Sequence, residues 1–170
     1  MTAASPIHIL IIEDNTDQAI AFVAILAGRT EVRWTSEIVS TLAAAIERLH
    51  GSGIDGVLLD LSLSDAHGLE AIKRAAEANH EVAIVVLTGW GGPEIEAQVK
   101  AAGADDFLIK PASPIDISVK LHQAIIHRKA DRERKEHHEA MTEASGIIKQ
   151  MMTNLDDKTR ELAIGQIKGQ

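Results

Sequence analysis

The sequence predicts an α/β protein: a doubly wound sheet of five parallel strands with helices on both faces, followed by a C-terminal helical extension. Two observations carry this. Ile7–Ile12 and Val82–Leu87 are short, nearly unbroken apolar runs, as strands buried on both faces require. From Ile7 to about residue 127, strand-like runs alternate five times with segments of helical spacing, the pattern of a parallel sheet joined by crossover helices.

The elements follow in order. The Ile7–Ile12 strand runs straight into Glu13, Asp14 and Asn15. Asn15 is an N-cap residue with Gln18 three positions on, which predicts a helix over 16–27 with Ala19, Phe22, Val23 and Leu26 on its apolar face. Residues 31–35 alternate weakly and are read as the second strand. Residues 39–50 are read as the second helix, with Leu42, Ala45, Ile46 and Leu49 at helical spacing and Gly51 after it. The third strand covers about 55–60, and Gly68 with residues 69–78 forms the third helix. The Val82–Leu87 strand ends at Thr88, and a glycine-rich loop, Gly89-Trp90-Gly91-Gly92, follows. Pro93 opens a helix to about Ala102. Residues 105–109 form the fifth strand, ending at Lys110-Pro111, and Ser113-Pro114 starts the fifth helix. Strands one, three and four are the most apolar and belong in the middle. The flavodoxin-like order 2-1-3-4-5 satisfies this and puts its switch point between strands one and three.

Composition narrows the function. A net charge of −8 argues against a general nucleic-acid or membrane-surface binder, and 2% aromatic residues leave little for base stacking. With no cysteine there is no disulfide, thiol or cysteine-based metal chemistry. The Ile7–Ile12 run is too short for a signal core or membrane span, so a cytoplasmic location is expected.

Each strong strand ends in a polar residue that packing does not need: Glu13 and Asp14, Asp60, Thr88 and Lys110. Asp60 closes the run Val57-Leu58-Leu59 and is expected at the strand's exposed carboxyl end, where open α/β sheets bind ligands. Taken singly, these residues have plainer readings as caps, strand ends and a solvated lysine. Together they place three carboxylates at one switch point, where mutual repulsion is relieved by a divalent cation. All-oxygen ligands suit Mg²⁺, which takes phosphate as a co-ligand, and Thr88 and Lys110 are natural phosphoryl contacts. A carboxylate so placed can act as the nucleophile that forms an aspartyl-phosphate.

Residues 5–127 resemble the receiver domain of bacterial two-component response regulators. The resemblance rests on Glu13-Asp14-Asn15, Asp60 in Leu-Leu-Asp-Leu, Gly68-Leu69-Glu70, Thr88-Gly89, and the run Gly103-Ala104-Asp105-Asp106-Phe107-Leu108-Ile109-Lys110-Pro111. It implies that Asp60 accepts a phosphoryl group from the phosphohistidine of a sensor histidine kinase or phosphotransfer protein. It implies Mg²⁺ held by Glu13, Asp14, Asp60 and the Ser62 backbone carbonyl. Thr88 and Lys110 would contact the phosphoryl group, Thr88 and Phe107 would act as the switch pair, and the Lys110–Pro111 bond would be cis. The expected chemistry is phosphoacceptance with at most self-phosphotransfer and autodephosphorylation, not independent enzymatic turnover. Ser64 and Thr16 stand where the family commonly has proline. Trp90 lies at a position that varies in the family, and its bulk predicts slow dephosphorylation.

The receiver is expected to span 1–127 and a helical extension 128–170. Residues 128–139 are polar on all sides, with Asp131–Lys135 and Arg132–Glu136 as i,i+4 pairs. Met141, Ile148, Leu155 and Leu162 then recur every seven residues, a short heptad seam that Gly146 interrupts and that Asp156-Asp157 could end. That seam predicts a homodimer, with folding back onto the chain's own domain as the alternative. The expected output is protein–protein contact, with no nucleic acid and no membrane as partner. The competing reading couples the receiver to a nucleic-acid-binding output through the tail.

Overall fold

The structure is a computed structural model and describes residues 5–167. Five parallel strands form one sheet in the order β2-β1-β3-β4-β5. The strands are β1 (Ile7–Ile12), β2 (Trp34–Val39), β3 (Gly56–Asp60), β4 (Ala83–Thr88) and β5 (Asp106–Ile109). The helices between them are α1 (Thr16–Ala27), α2 (Leu42–Leu49), α3 (Gly68–Ala78), α4 (Pro93–Ala101) and α5 (Pro114–Ile167).

Side chains alternate across a strand, so each central strand feeds two cores. From β1, Leu10 and Ile12 join Val57, Leu59, Ile84 and Val86 beneath α2, α3 and α4. Ile9 and Ile11 join Leu58, Val85 and Leu87 on the opposite face, against Leu26 of α1 and Ile117 and Leu121 of α5. All five residues of β3 are buried, which explains why its sequence lacks a polar face.

Local chemistry sets the helix starts. The Asn15 side chain accepts from the Gln18 N–H at 3.0 Å, as the capping pattern predicts. Thr41 does the same for Ala44 at 3.2 Å and starts α2 at Leu42. Gly68 opens α3 at φ +60°, a conformation that favours glycine. The Ser113 hydroxyl caps α5 by accepting from the Asp116 N–H at 3.1 Å. The Lys110–Pro111 peptide is cis, as expected.

Two expectations are corrected. The second strand is Trp34–Val39, not 31–35. It pairs residue for residue with β1, from Ile7↔Trp34 to Ile12↔Val39, and this register takes Val39 away from the second helix. The helix under the heptad seam, α5, is continuous past Gly146 and Asp156-Asp157, where only the seam was expected to be interrupted. One exposed helical glycine costs only about 1 kcal/mol relative to alanine, which the helix formers around it absorb. Finally, Asp131 pairs with Arg134 rather than Lys135, and Lys135 turns to Glu139 at 4.0 Å, while the Arg132–Glu136 pair forms at 3.6 Å.

The chain falls into two compact units that meet between Lys129 and Ala130, two residues beyond the expected boundary. In the first, basic residues of α5 hold acids at the sheet: Lys120 with Asp106, Arg128 with Asp105, and Lys129 with Asp55, all within 2.8 Å. In the second, the helix exposes Met141, Ile148, Leu155 and Leu162. Among the described residues no helix is long and apolar enough to cross a membrane.

Candidate functional site

The strand order brings the predicted residues to one end of the sheet. β1 and β3 are neighbours, with Ile12 beside Leu59, so Glu13 and Asp14 emerge next to Asp60. On the other side of β3, Asp60 is paired with Leu87, and Thr88 follows. The Lys110 N–H donates to the Thr88 carbonyl at 2.8 Å, which aligns the end of β5 with that of β4.

Asp60 does not stand open to solvent as expected; it is 3% exposed. A buried carboxylate needs a partner, and Lys110 supplies it. The Lys110 Nζ donates to Asp60 Oδ2 at 2.8 Å, and the Ser62 backbone N–H donates to Oδ1 at 3.1 Å. Both carboxylate oxygens are therefore held, and the orientation of the group is fixed.

Glu13 is equally enclosed. Its Oε1 accepts from the Asn15 N–H at 3.0 Å. Its Oε2 is buried without a hydrogen bond and lies 4.0 Å from the Lys110 ammonium. Burial pushes the Glu13 carboxyl up to about 6; the Asn15 N–H opposes this, and the nearby Asp60 carboxylate adds to it. Asp14 is exposed, and its Oδ2 accepts from the Ser64 N–H at 3.0 Å.

Each of Glu13, Asp14 and Asp60 offers a carboxylate oxygen, and these atoms lie within 4.8 Å of one another. A single lysine cannot balance three carboxylates, and one buried oxygen is left without a donor. Oxygen-only ligands of this kind fit a hard divalent cation such as Mg²⁺.

The remaining predicted residues are less directly involved. The Ser62 N–H donates to Asp60. Thr88 is buried, and its hydroxyl oxygen accepts from the Trp90 N–H at 3.0 Å. Phe107 is half-buried and packs against the core under α2, α3 and α4. Trp90 is 70% exposed.

Two contributors escape sequence reasoning. The Gln18 side chain, read only as part of a cap, reaches Lys110 at 3.4 Å. It also lines, with Phe22, Leu87 and Pro111, a cavity of about 400 Å³ beside the lysine. Asp65 accepts from the N–H groups of Leu42 and Ala43 at 2.9 and 3.1 Å, tying the loop after Asp60 to the start of α2. The carboxyl is held below its usual range, chiefly by the Leu42 N–H.

Acids, a threonine and a lysine converge beyond the carboxyl ends of a doubly wound sheet, where such folds place their ligand sites. Residues 9–122 match the response regulator receiver domain, and the chain belongs to this family of two-component signalling proteins. It is 33% identical over 111 residues to the photosynthetic apparatus regulatory protein RegA of Rhodobacter capsulatus, covering 65% of this chain and 58% of RegA. It is 33% identical over 138 residues to the acid tolerance regulatory protein ActR of Rhizobium meliloti, covering 76% of this chain and 69% of ActR. Among solved structures it resembles the receiver domain of sensor histidine kinase PA1611 from Pseudomonas aeruginosa PAO1, which has a magnesium ion coordinated in its active site cleft. That likeness has a TM-score of 0.61 at 23% identity, and covers 71% of this chain and 98% of that one.

Proposed function

We propose that this receiver accepts a phosphoryl group on Asp60 from the phosphohistidine of a sensor histidine kinase or phosphotransfer protein. The observation that carries the reading is the Asp60–Lys110 contact at 2.8 Å inside a cluster of three carboxylates. Lys110 and the Ser62 N–H orient the Asp60 carboxylate before a donor arrives. An Asp60 oxygen attacks phosphorus as the phosphorus–nitrogen bond of the donor breaks, and the histidine leaves with the electron pair. Lys110 then moves its charge to a phosphoryl oxygen, with the Thr88 hydroxyl as second donor. Glu13, Asp14, Asp60 and the Ser62 carbonyl are the residues that would hold Mg²⁺. When bound, the metal supplies charge neutralisation and polarises the phosphoryl group.

The group is a phosphoacceptor rather than an enzyme with independent turnover, and it works in the cytoplasm. Thr88 and Phe107 form the switch pair. The output is protein contact, with the C-terminal helix joining two copies. The test is labelling by acetyl phosphate with Mg²⁺, read by intact mass. One phosphoryl group is expected on the wild type and none on Asp60→Asn; equal labelling of the variant would overturn the assignment.

A second reading couples the receiver to a nucleic-acid output. It draws on the match spanning only 58% of RegA, so such relatives carry further sequence. A mobility-shift assay with the phosphorylated chain separates the two.

A further inference from the structure

The homodimer proposed above leaves open how two tails meet, and the side-chain pattern along the helix points to one arrangement. The relevant face is open: Met141, Ile147, Ile148, Met151, Met152, Leu155 and Leu162 are each more than half exposed. Side chains of this size remove on the order of 100 Å² each when covered, so the stripe offers roughly 700 Å² per helix. That approaches the ~800 Å² per partner of a standard protein interface. It also exceeds the few hundred Å² of contiguous apolar surface usual on a monomer. Long helices in proteins draw most of their stability from a packed apolar face, and this one needs a cover.

The spacing identifies a second copy as that cover. Taking Met141 as heptad position a places Ile148, Leu155 and Leu162 at a, and Ala144 and Met151 at d. Ile147 falls at g and Met152 at e, widening the stripe at its centre. In a parallel, in-register pair, the g residue of one helix meets the e residue five positions on in the other. Ile147 then meets Met152 of the second copy on both sides of the seam, and the Ile148–Met151 core is enclosed by apolar flanks. An antiparallel pair puts g against g and e against e. Centred on the same core, it sets Met152 against Ser145 and Ile147 against Asn154, and the match is lost.

Polar residues bound the seam. Arg134 and His137 occupy the a and d positions before Met141. Lys158 takes the d position between Leu155 and Leu162, where its stem can lie on the seam while its ammonium reaches water. A lone polar core residue costs stability and penalises other registers.

We propose that residues 141–162 form a parallel, in-register two-stranded coiled coil with a second copy of this chain. This rests on the homodimer reading, and one set of variants tests both. The full chain has no native cysteine. Ala144→Cys and Met151→Cys, each alone, are expected to form covalent dimers under mild oxidation. Gly146→Cys lies on the far face, where an added side chain meets nothing, and is expected to stay uncross-linked. Mixing differently tagged Ala144→Cys and Leu155→Cys chains is the antiparallel reporter. A hetero-cross-link there, with neither d-position variant linking to itself, overturns the parallel arrangement and leaves the homodimer standing. Light scattering on the unoxidised wild type is expected to give about twice 18.3 kDa. A mass of one copy overturns both.

Discussion

Lys110 reaches Asp60 across fifty residues of sequence, and its Nζ lies 2.8 Å from Oδ2. This contact lets a carboxylate sit almost fully buried at the end of β3. Removing the lysine strands that charge. Lys110→Ala is expected to lose about 2 kcal/mol of stability without metal, less than a fully buried pair because the lysine side chain is 28% exposed. Urea denaturation in EDTA measures the loss. Adding Mg²⁺ is expected to stabilise the variant more than the wild type, since the cation takes over the missing positive charge. An equal gain in both would count against the shared role.

Glu13 makes metal-free stability depend on pH in an unusual direction for a carboxylate. Its folded pKa is about 6 against an ordinary value of 4.5, so the folded state prefers the protonated form. The favourable contribution is therefore full below about 4.5 and lost as pH rises through about 6. The whole effect is on the order of 2 kcal/mol. Thermal melts in EDTA are expected to show the wild type gaining stability from pH 7 to pH 5 relative to Glu13→Gln. Identical slopes for the two proteins would refute the assignment.

Asp65 holds two backbone N–H groups at the start of α2 while sitting in the loop that carries Ser62 and Ser64. Asp65→Ala removes both bonds and is expected to cost about 1 kcal/mol, the usual scale for a lost helix cap. The same change is expected to weaken Mg²⁺ several-fold, because the loop bears a proposed ligand. Tryptophan fluorescence titration reads the affinity; an unchanged constant in a destabilised protein would leave Asp65 a purely structural residue.

Trp90 presents a bulky, exposed ring two residues after Thr88. It is expected to slow the approach of water to phosphorylated Asp60. Trp90→Asn is predicted to shed its phosphoryl group several-fold faster, followed by intact mass over time. A rate equal to the wild type's would remove the ring from the mechanism.

The central strands were legible because burial on both faces leaves a continuous apolar signature, as in Val82–Leu87. The edge strand β2 was not. Trp34–Val39 has no fully buried residue and carries Thr35, Ser36 and Glu37. Its position is set by hydrogen bonding to β1, which no local pattern announces. The chemistry-bearing residues were visible as polar endings to apolar runs. The burial of Asp60 was not, since the cation that permits it comes from another strand. Gln18 and Asp65 act through contacts 92 and 22–23 residues away in sequence, beyond any window that reads spacing.

Under the proposed function, the Thr88 hydroxyl has two jobs that share one oxygen. It accepts from the Trp90 N–H, and its own proton remains available to donate. Turning the side chain about χ1 to present that proton to a phosphoryl group withdraws the oxygen from the loop backbone. The tether given up is worth about 1 kcal/mol, a roughly fivefold shift in how often the Gly89–Gly92 segment is anchored. Occupancy of Asp60 is thus expected to be written into the backbone dynamics of a four-residue loop. The Trp90 amide signal in NMR, compared between wild type and Thr88→Ala with and without a phosphoryl mimic, would show it.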